Sequence, residues 1–305
     1  MFVQTILLVA GFVLLVKGSD WFVDGASAIA EKLRISQLII GLTIVAMGTS
    51  APEAAISISA ALKDCAGITI GNIVGSNILN ILIILGLSAV IAPLMVDRST
   101  ICRDLPFLIG ISLLLLIQGW DGSINLFDGL VQIVLFTAYL IYLLIMAKRQ
   151  PEQDVKIANQ RSLLRTSLTV VGLVAVVIGS NLAVDAACAI ARLLGMSERF
   201  IGLTIVALGT SLPELFTSVT AARKGNADIA IGNIVGSNIF NILFVVGLSA
   251  VIIPVPFAEE FRFDCAVAVA AAAFLLLSCA RAGNLKRWHG AMMLAGYMAY
   301  FLMIL

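Results

Sequence analysis

The chain has 305 residues, 61% of them hydrophobic and 12% charged, with a formal net charge of +1. Soluble domains carry about 25% charged residues, so this composition excludes a water-soluble globule, and the balanced charge excludes a basic nucleic-acid binder. Mean hydropathy is +1.08, and charge-free runs at 105–120, 129–147, 166–184 and 265–280 come close to the roughly 20 residues that carry a helix across hydrocarbon.

In chain order, the first apolar segment covers about 2–30. It has no basic start and no soluble sequence after it, so it reads as a spanning helix and not as a cleaved leader. Hydropathy then marks 36–62, 69–94, 104–120 and 126–147. The only extended polar run, "KRQPEQDVKIANQRSLLR", follows, and five more segments lie at about 163–192, 197–222, 229–255, 264–281 and 287–305. In lipid a helix satisfies its own backbone. The expected fold is therefore an all-α polytopic membrane protein with ten transmembrane helices.

Sliding the chain against itself gives one dominant register, an offset of 161 residues. Residues 18–30 match 179–191 at 8 of 13 positions, 41–53 match 202–214 at 11 of 13, and 71–93 match 232–254 at 18 of 23. One gapless offset means a duplication, and its period is too long for a solenoid. It suits a transporter built from two structural repeats. The expected organisation is a first five-helix repeat at 1–147 (motif 41–93), a linker at 148–162, and a second repeat at 163–305 (motif 202–254).

Five segments per half require the second repeat to enter the membrane from the opposite face. Lys and Arg gather in cytoplasmic loops, which tests the orientation. With the N-terminus outside, the inner connections hold Lys32, Arg34, Arg98, Arg103, Lys148, Arg149, Lys156, Arg161, Arg165, Arg223, Lys224, Arg281, Lys286 and Arg287. The outer ones hold only Lys63, Arg192, Arg199 and Arg262. Inverted repeats with both termini outside and the 148–162 linker inside are expected, in the cell (inner or plasma) membrane.

The repeated words carry the chemistry. "GTSAPE" at 48–53 and "GTSLPE" at 209–214 each place a glutamate one residue after a proline. Proline removes a helix hydrogen bond, so carbonyls around Ala46 to Gly48 and Ala207 to Gly209 are expected to lose partners. Thr49 and Glu53 are four apart, as are Thr210 and Glu214, and each pair would line one helix face. Carbonyl, hydroxyl and carboxylate oxygens together make a ligand set for hard cations. A mid-membrane carboxylate costs about 2.5–3.5 kcal/mol on insertion scales. The alternative, that these are kinks kept for packing, does not account for two such charges in register.

"GNIVGSNILN" at 71–80 and "GNIVGSNIFN" at 232–241 add a second polar set. Gly71, Gly75, Gly232 and Gly236 form small-xxx-small ridges for close packing. Ser76 with Asn80, and Ser237 with Asn241, share faces and offer neutral oxygens to the carboxylates, or else bond neighbouring helices. Asn72, Asn77, Asn233 and Asn238 read as helix-bridging residues. Asp24 and Asp185 recur in register about 22 residues into their helices, beyond the hydrocarbon, with a rim or gate role as the alternative. His289 reads as interfacial. The five cysteines (Cys65, Cys102, Cys188, Cys265, Cys279) have no metal or disulfide spacing. No nucleophile constellation, phosphate loop or cofactor motif is present, so no enzyme and no cofactor is expected.

Inversion brings the two kinked segments together at midplane, where Glu53 and Glu214 would share one site of charge −2. One divalent cation, or two or more monovalent ones, compensates it. If only compensated states swing between the two sides, the protein is an obligatory exchanger.

These words resemble the alpha-repeats of the calcium/cation antiporter superfamily, specifically its prokaryotic sodium/calcium exchanger branch, over essentially the whole chain. The resemblance implies ten helices, electrogenic Na+/Ca2+ exchange, and alternating access in which the first and sixth helices slide across a static core. It places ion ligands at Glu53, Glu214, Thr49, Ser50, Thr210, Ser211, Ser76, Ser237, Asn80 and Asn241, with backbone carbonyls at Ala46 and Ala207. Ca2+ and Na+ are then transported ions, lipid is the surrounding partner, and no obligate protein partner is implied. Potassium-dependent relatives carry an acid where Asn241 stands, and proton-coupled ones a glutamate where Gly75 and Gly236 stand. Both departures favour sodium without potassium. A Ca2+/H+ antiporter is the nearest alternative, and a passive cation channel or a non-transporting scaffold are those of other classes.

Overall fold

The computed structural model describes residues 2–62, 66–149, 162–194 and 207–304. Twelve helices among these residues are numbered in chain order. They are α1 (Phe2–Leu33), α2 (Gln37–Thr49), α3 (Ala51–Leu62), α4 (67–91), α5 (Thr100–Asp121), α6 (Leu126–Arg149), α7 (Ser162–Leu193), α8 (Ala207–Thr210), α9 (Leu212–Arg223), α10 (Ala227–Ile252), α11 (Glu260–Ala280) and α12 (Arg287–Ile304). Seven described helices are long and apolar enough to cross a membrane, and the pair α2–α3, bent by 50° at Ser50, makes an eighth. The expected segment at 197–222 is described from Ala207 onward; 195–206 and the linker core at 150–161 lie outside the described residues.

Burial separates a core from a rim. In α4 and α10, 78% and 83% of the spanning window is buried, against 22% in α1 and α6. The outer face of α1 presents Phe2, Val3, Ile6, Val9, Phe12 and Val13, the composition of a lipid contact. Between α4 and α10 pack Ile73, Ile78, Ile81, Ile234, Ile239 and Leu243, all essentially inaccessible.

Two short strand pairs report how the halves interlock. β1 (Leu94–Met95) pairs antiparallel with β4 (Asn284–Leu285), and β2 (Ser123–Ile124) with β3 (Val255–Pro256). By the 161-residue register, β1 corresponds to β3 and β2 to β4, so each pairing is the counterpart of the other. Glycine contacts repeat the exchange: a Cβ on Gly290 would lie 2.4 Å from Gly86 O, and one on Gly129 would lie 2.7 Å from Gly247 O.

The helices α1 and α7 run antiparallel in close contact through a glycine stripe that hydropathy and the paired words do not single out. Gly11, Gly18 and Gly25 recur every seventh residue, and a Cβ on each would fall 2.7, 2.8 and 2.3 Å from the backbone nitrogens of Ala183, Val176 and Thr169. Small residues let backbones approach this closely where lipid supplies no hydrophobic drive. The expected ridge on α10 is also present: Cβ atoms on Gly232 and Gly236 would lie 2.9 and 2.7 Å from the carbonyls of Leu38 and Leu42. In the other half, a Cβ on Gly71 would meet the Phe261 ring at 3.4 Å, and one on Gly75 meets no described neighbour within 4 Å.

Candidate ion-binding site

The α2–α3 and α8–α9 breaks each put a serine at the corner and a glutamate in the first turn of the following helix. Ser50 (φ −81°, ψ 8°) and Ser211 (φ −89°, ψ 6°) leave helical geometry, and Glu53 and Glu214 begin α3 and α9. A carboxylate in a first helical turn is favoured by the unpaired amides and the helix dipole. Glu53 is 1% and Glu214 0% exposed.

Contacts at the site run across the halves. Ser50 Oγ donates to Glu214 Oε1 at 2.7 Å, and Ser211 Oγ donates to Glu53 Oε1 at 3.3 Å and lies 3.5 Å from Ser76 Oγ. Thr49 and Thr210 follow the same rule: Thr49 lies toward Glu214 and Thr210 toward Glu53. This corrects the i, i+4 reading of Thr49 with Glu53. The helix breaks between them, so a spacing that holds on one helix does not carry across a 50° bend.

Of the carbonyls expected to lose a helical partner, Ala46 O keeps its own and Gly209 O finds another donor. Ala46 O is not stranded by Pro52: it accepts from Ser50 N at 3.0 Å and from the hydroxyls of Thr49 and Ser237, both at 3.3 Å. The group that loses a partner to a proline is the carbonyl four residues earlier, and for Pro213 that is Gly209 O, which accepts from Ser180 Oγ at 2.8 Å. Ala207 is the first described residue of α8.

Asparagines tie the set together. Asn72 Nδ2 donates to Ser57 Oγ at 2.9 Å and Glu53 O at 3.3 Å; Asn233 Nδ2 donates to Ser218 Oγ at 2.9 Å and Glu214 O at 3.5 Å. Asn233 Oδ1 accepts from Thr49 Oγ1 at 3.0 Å. Asn80 and Asn241 each open a widened π-turn, Asn80–Leu85 and Asn241–Val246, a feature frequent at functional sites.

Four side-chain oxygens of the expected ligand set are buried without a hydrogen-bond partner among the described residues: Glu53 Oε2, Glu214 Oε2, Asn80 Oδ1 and Asn241 Oδ1. All four are acceptors when the carboxylates are ionised. No cationic side chain among the described residues pairs with either glutamate. Buried acceptors normally find a partner, and two partnerless carboxylate oxygens with two partnerless amide oxygens, recurring in register in both halves, have the chemistry of a cation site. Two carboxylates with neutral oxygens suit a hard ion.

The two ends of the core are unlike. At the β1–β4 end Lys224 Nζ bonds Asp24 Oδ1 at 2.9 Å, Asp20 Oδ1 at 3.3 Å and Asp20 O at 2.9 Å, while Ser19 Oγ meets Thr220 Oγ1 at 3.1 Å. At the β2–β3 end a cleft of about 570 Å³ opens between Pro52, Ala55, Ser180, Asn181, Asp185 and Thr210. Asp185 thus lies on the rim of a cleft that reaches the broken helices, whereas Asp24 pairs with Lys224 at the opposite end and lines a smaller cleft of about 350 Å³ with Ser27, Glu31 and Asn226. His289, in the first turn of α12, is buried; its Nδ1 accepts from Lys286 N at 3.1 Å and caps that helix start.

The profile of the sodium/calcium exchanger protein family matches residues 3–146 and 165–305. The chain belongs to the sodium/calcium exchanger family. Sodium/calcium exchanger MaX1 of Methanosarcina acetivorans is 33% identical, over 99% of this chain and 98% of its own. Inner membrane protein YrbG of Escherichia coli is 33% identical over 100% and 97%. Among solved structures, the sodium-calcium exchanger NCX_Mj soaked with 2.5 mM Na+ and 10 mM Sr2+ matches with a TM-score of 0.89 at 34% identity, covering 99% of this chain and 98% of that one. This exchanger is a membrane transporter and not an enzyme, a cation/Ca2+ antiporter whose Ca2+ and Na+ are transported substrates.

Proposed function

We propose that this exchanger couples Na+ to Ca2+ at one midplane site built from Glu53, Glu214, Thr49, Ser50, Thr210, Ser211, Ser76, Ser237, Asn80 and Asn241, with the carbonyls of Ala46 and Ala207. The observation that carries the proposal is that both buried glutamates, and the asparagines at 80 and 241 in register with each other, each keep one partnerless oxygen. A charge of −2 is matched by one Ca2+ or by two Na+, with any further Na+ held on the neutral oxygens, and a site left empty and charged at membrane depth is costly to occlude. Only loaded states then cross, which couples the fluxes. Exchange of more than two Na+ per Ca2+ is electrogenic. The neutral amides of Asn80 and Asn241 keep the charge at −2, so no K+ is needed.

The proposal places ten spans in two inverted repeats, 1–147 and 163–305, joined by a cytoplasmic linker at 148–162, with both termini outside the cell membrane. Reciprocal pairing of β1 with β4 and β2 with β3 supports inversion, since repeats of the same orientation would bring β1 and β3 to one face. Alternating access follows from the unlike ends: the Asp185 cleft is the open, outer path, and the Lys224 cluster closes the inner one. Ser180 binds Gly209 O, whereas its counterpart Ser19 binds Leu15 O, Val16 O and Thr220. The α1–α7 pair therefore sits unevenly across the core, as a sliding pair would in one of two end states.

Radioactive calcium uptake into sodium-loaded proteoliposomes, with separate potassium and pH-gradient arms, tests this. The expected result is uptake that needs internal sodium, ignores potassium and is lost in Glu53→Gln and Glu214→Gln. Uptake driven by a pH gradient alone would transfer the function to Ca2+/H+ antiport.

A further inference from the structure

Four asparagines meet where α4 crosses α10, and their hydrogen bonds are ordered by two backbone carbonyls. Asn238 Nδ2 donates to Asn77 O at 3.2 Å, and Asn77 Nδ2 donates to Asn238 O at 3.3 Å. A carbonyl can only accept, so the orientation of both amides is fixed: each turns its NH2 to the opposite backbone and its Oδ1 away. Asn80 Nδ2 then donates to Asn238 Oδ1 at 2.9 Å, and Asn241 Nδ2 donates to Asn77 Oδ1 at 3.2 Å. What remains of Asn80 and Asn241 is Oδ1, buried and without a partner among the described residues.

We propose that Asn77 and Asn238 are positioning residues for ion binding: they touch no ion, and they hold the amides of Asn80 and Asn241 so that oxygen, not NH2, faces the cation. The proposal rests on the site reading above and adds to it why this site can use neutral amides. An amide free to rotate presents donor and acceptor alike, and an NH2 turned inward would oppose a cation. Reciprocity makes the device symmetrical: each half's Asn77 or Asn238 aims the amide of the other half. All four side chains are at least 97% buried, so water does not compete for these bonds.

A double-mutant cycle separates aiming from packing. Equilibrium binding of radioactive calcium to the purified full chain, without sodium, is read beside thermal melting. Asn238→Leu frees the Asn80 amide and is expected to weaken calcium binding by about tenfold, in the range of couplings between contacting residues. Asn80→Asp needs no aiming, because both its outer atoms are acceptors, and it sets a carboxylate oxygen against Asn238 Oδ1. Adding Asn238→Leu to Asn80→Asp is therefore expected to leave calcium binding equal or tighter. Equal losses from Asn238→Leu in both backgrounds, or no loss in the first, would overturn the proposal.

If Asn238→Leu does not give monodisperse protein, the cycle is read on Asn77→Leu with Asn241→Asp. Failure of both leucine variants to fold would overturn it too, by making the pair a packing requirement. Unaltered calcium binding in Glu53→Gln and Glu214→Gln would instead sink the site reading, whatever the cycle gives.

Discussion

Ser50 and Glu214 are separated by 164 residues and joined by a hydrogen bond of 2.7 Å, shorter than its counterpart from Ser211 to Glu53 at 3.3 Å. Each bond occupies Oε1 and leaves Oε2 to the site. A hydrogen bond to a charged group is worth about 1.5–3 kcal/mol, and each 1.4 kcal/mol is about tenfold in affinity. Ser50→Ala is expected to raise the calcium concentration for half-maximal uptake at least tenfold. Ser211→Ala, losing the longer bond, is expected to raise it less. Initial uptake rates across a calcium titration give both values, and the reverse order would count against this geometry.

Lys224 holds α9 to α1 through Asp20 and Asp24, all three partly exposed. Exposed pairs contribute at most about 1 kcal/mol each, so the cluster biases the closed end and does not lock it. With the native cysteines replaced and Thr220→Cys as reporter, Lys224→Met is expected to speed maleimide labelling about fivefold, the equivalent of about 1 kcal/mol. High salt should reproduce part of this by screening. A labelling rate indifferent to both would remove the cluster from the gating account.

Packing of α1 on α7 depends on Gly25, where a Cβ would sit 2.3 Å from Thr169 N. Overpacking of this kind costs about 1–3 kcal/mol. Gly25→Val is expected to lower the melting temperature by roughly 2–10 °C. Gly110→Ala, whose added carbon meets no atom within 4 Å beyond its own stretch of helix, should not lower it. Thermal melting of the detergent-purified variants makes the comparison.

The two glutamates and the paired GN words are legible in the sequence through the 161-residue register, because a duplicated cost in the membrane stands out there. Spacing does not show which half each side chain serves. Thr49 reads as the neighbour of Glu53 on an unbroken helix, and the break at Ser50 turns it toward Glu214 instead. Asn77 and Asn238 read as helix-bridging residues, which their bonds agree with. Their control of Asn80 and Asn241 depends on two backbones crossing 161 residues apart. A proline at 52 suggests that Ala46 O is freed, but the amide it removes is the one that would serve Gly48, so Ala46 keeps its Ser50 partner. The stripe of Gly11, Gly18 and Gly25 is present in the sequence as a seven-residue repeat, though spacing alone does not say what it touches. Lys224 reads only as a topological charge, since its partners Asp20 and Asp24 lie 200 residues or more away along the chain.

On this reading, a single carboxylate pair serves both ions in turn. Calcium binding to the purified protein, titrated by calorimetry at increasing sodium and constant ionic strength, tests it most directly. The account predicts an apparent calcium Kd that rises more than linearly with sodium, because two or more Na+ replace one Ca2+, and no calcium heat at all in Glu53→Gln. A calcium Kd that stays constant across the sodium series would contradict it, and would mean that the two ions occupy separate sites.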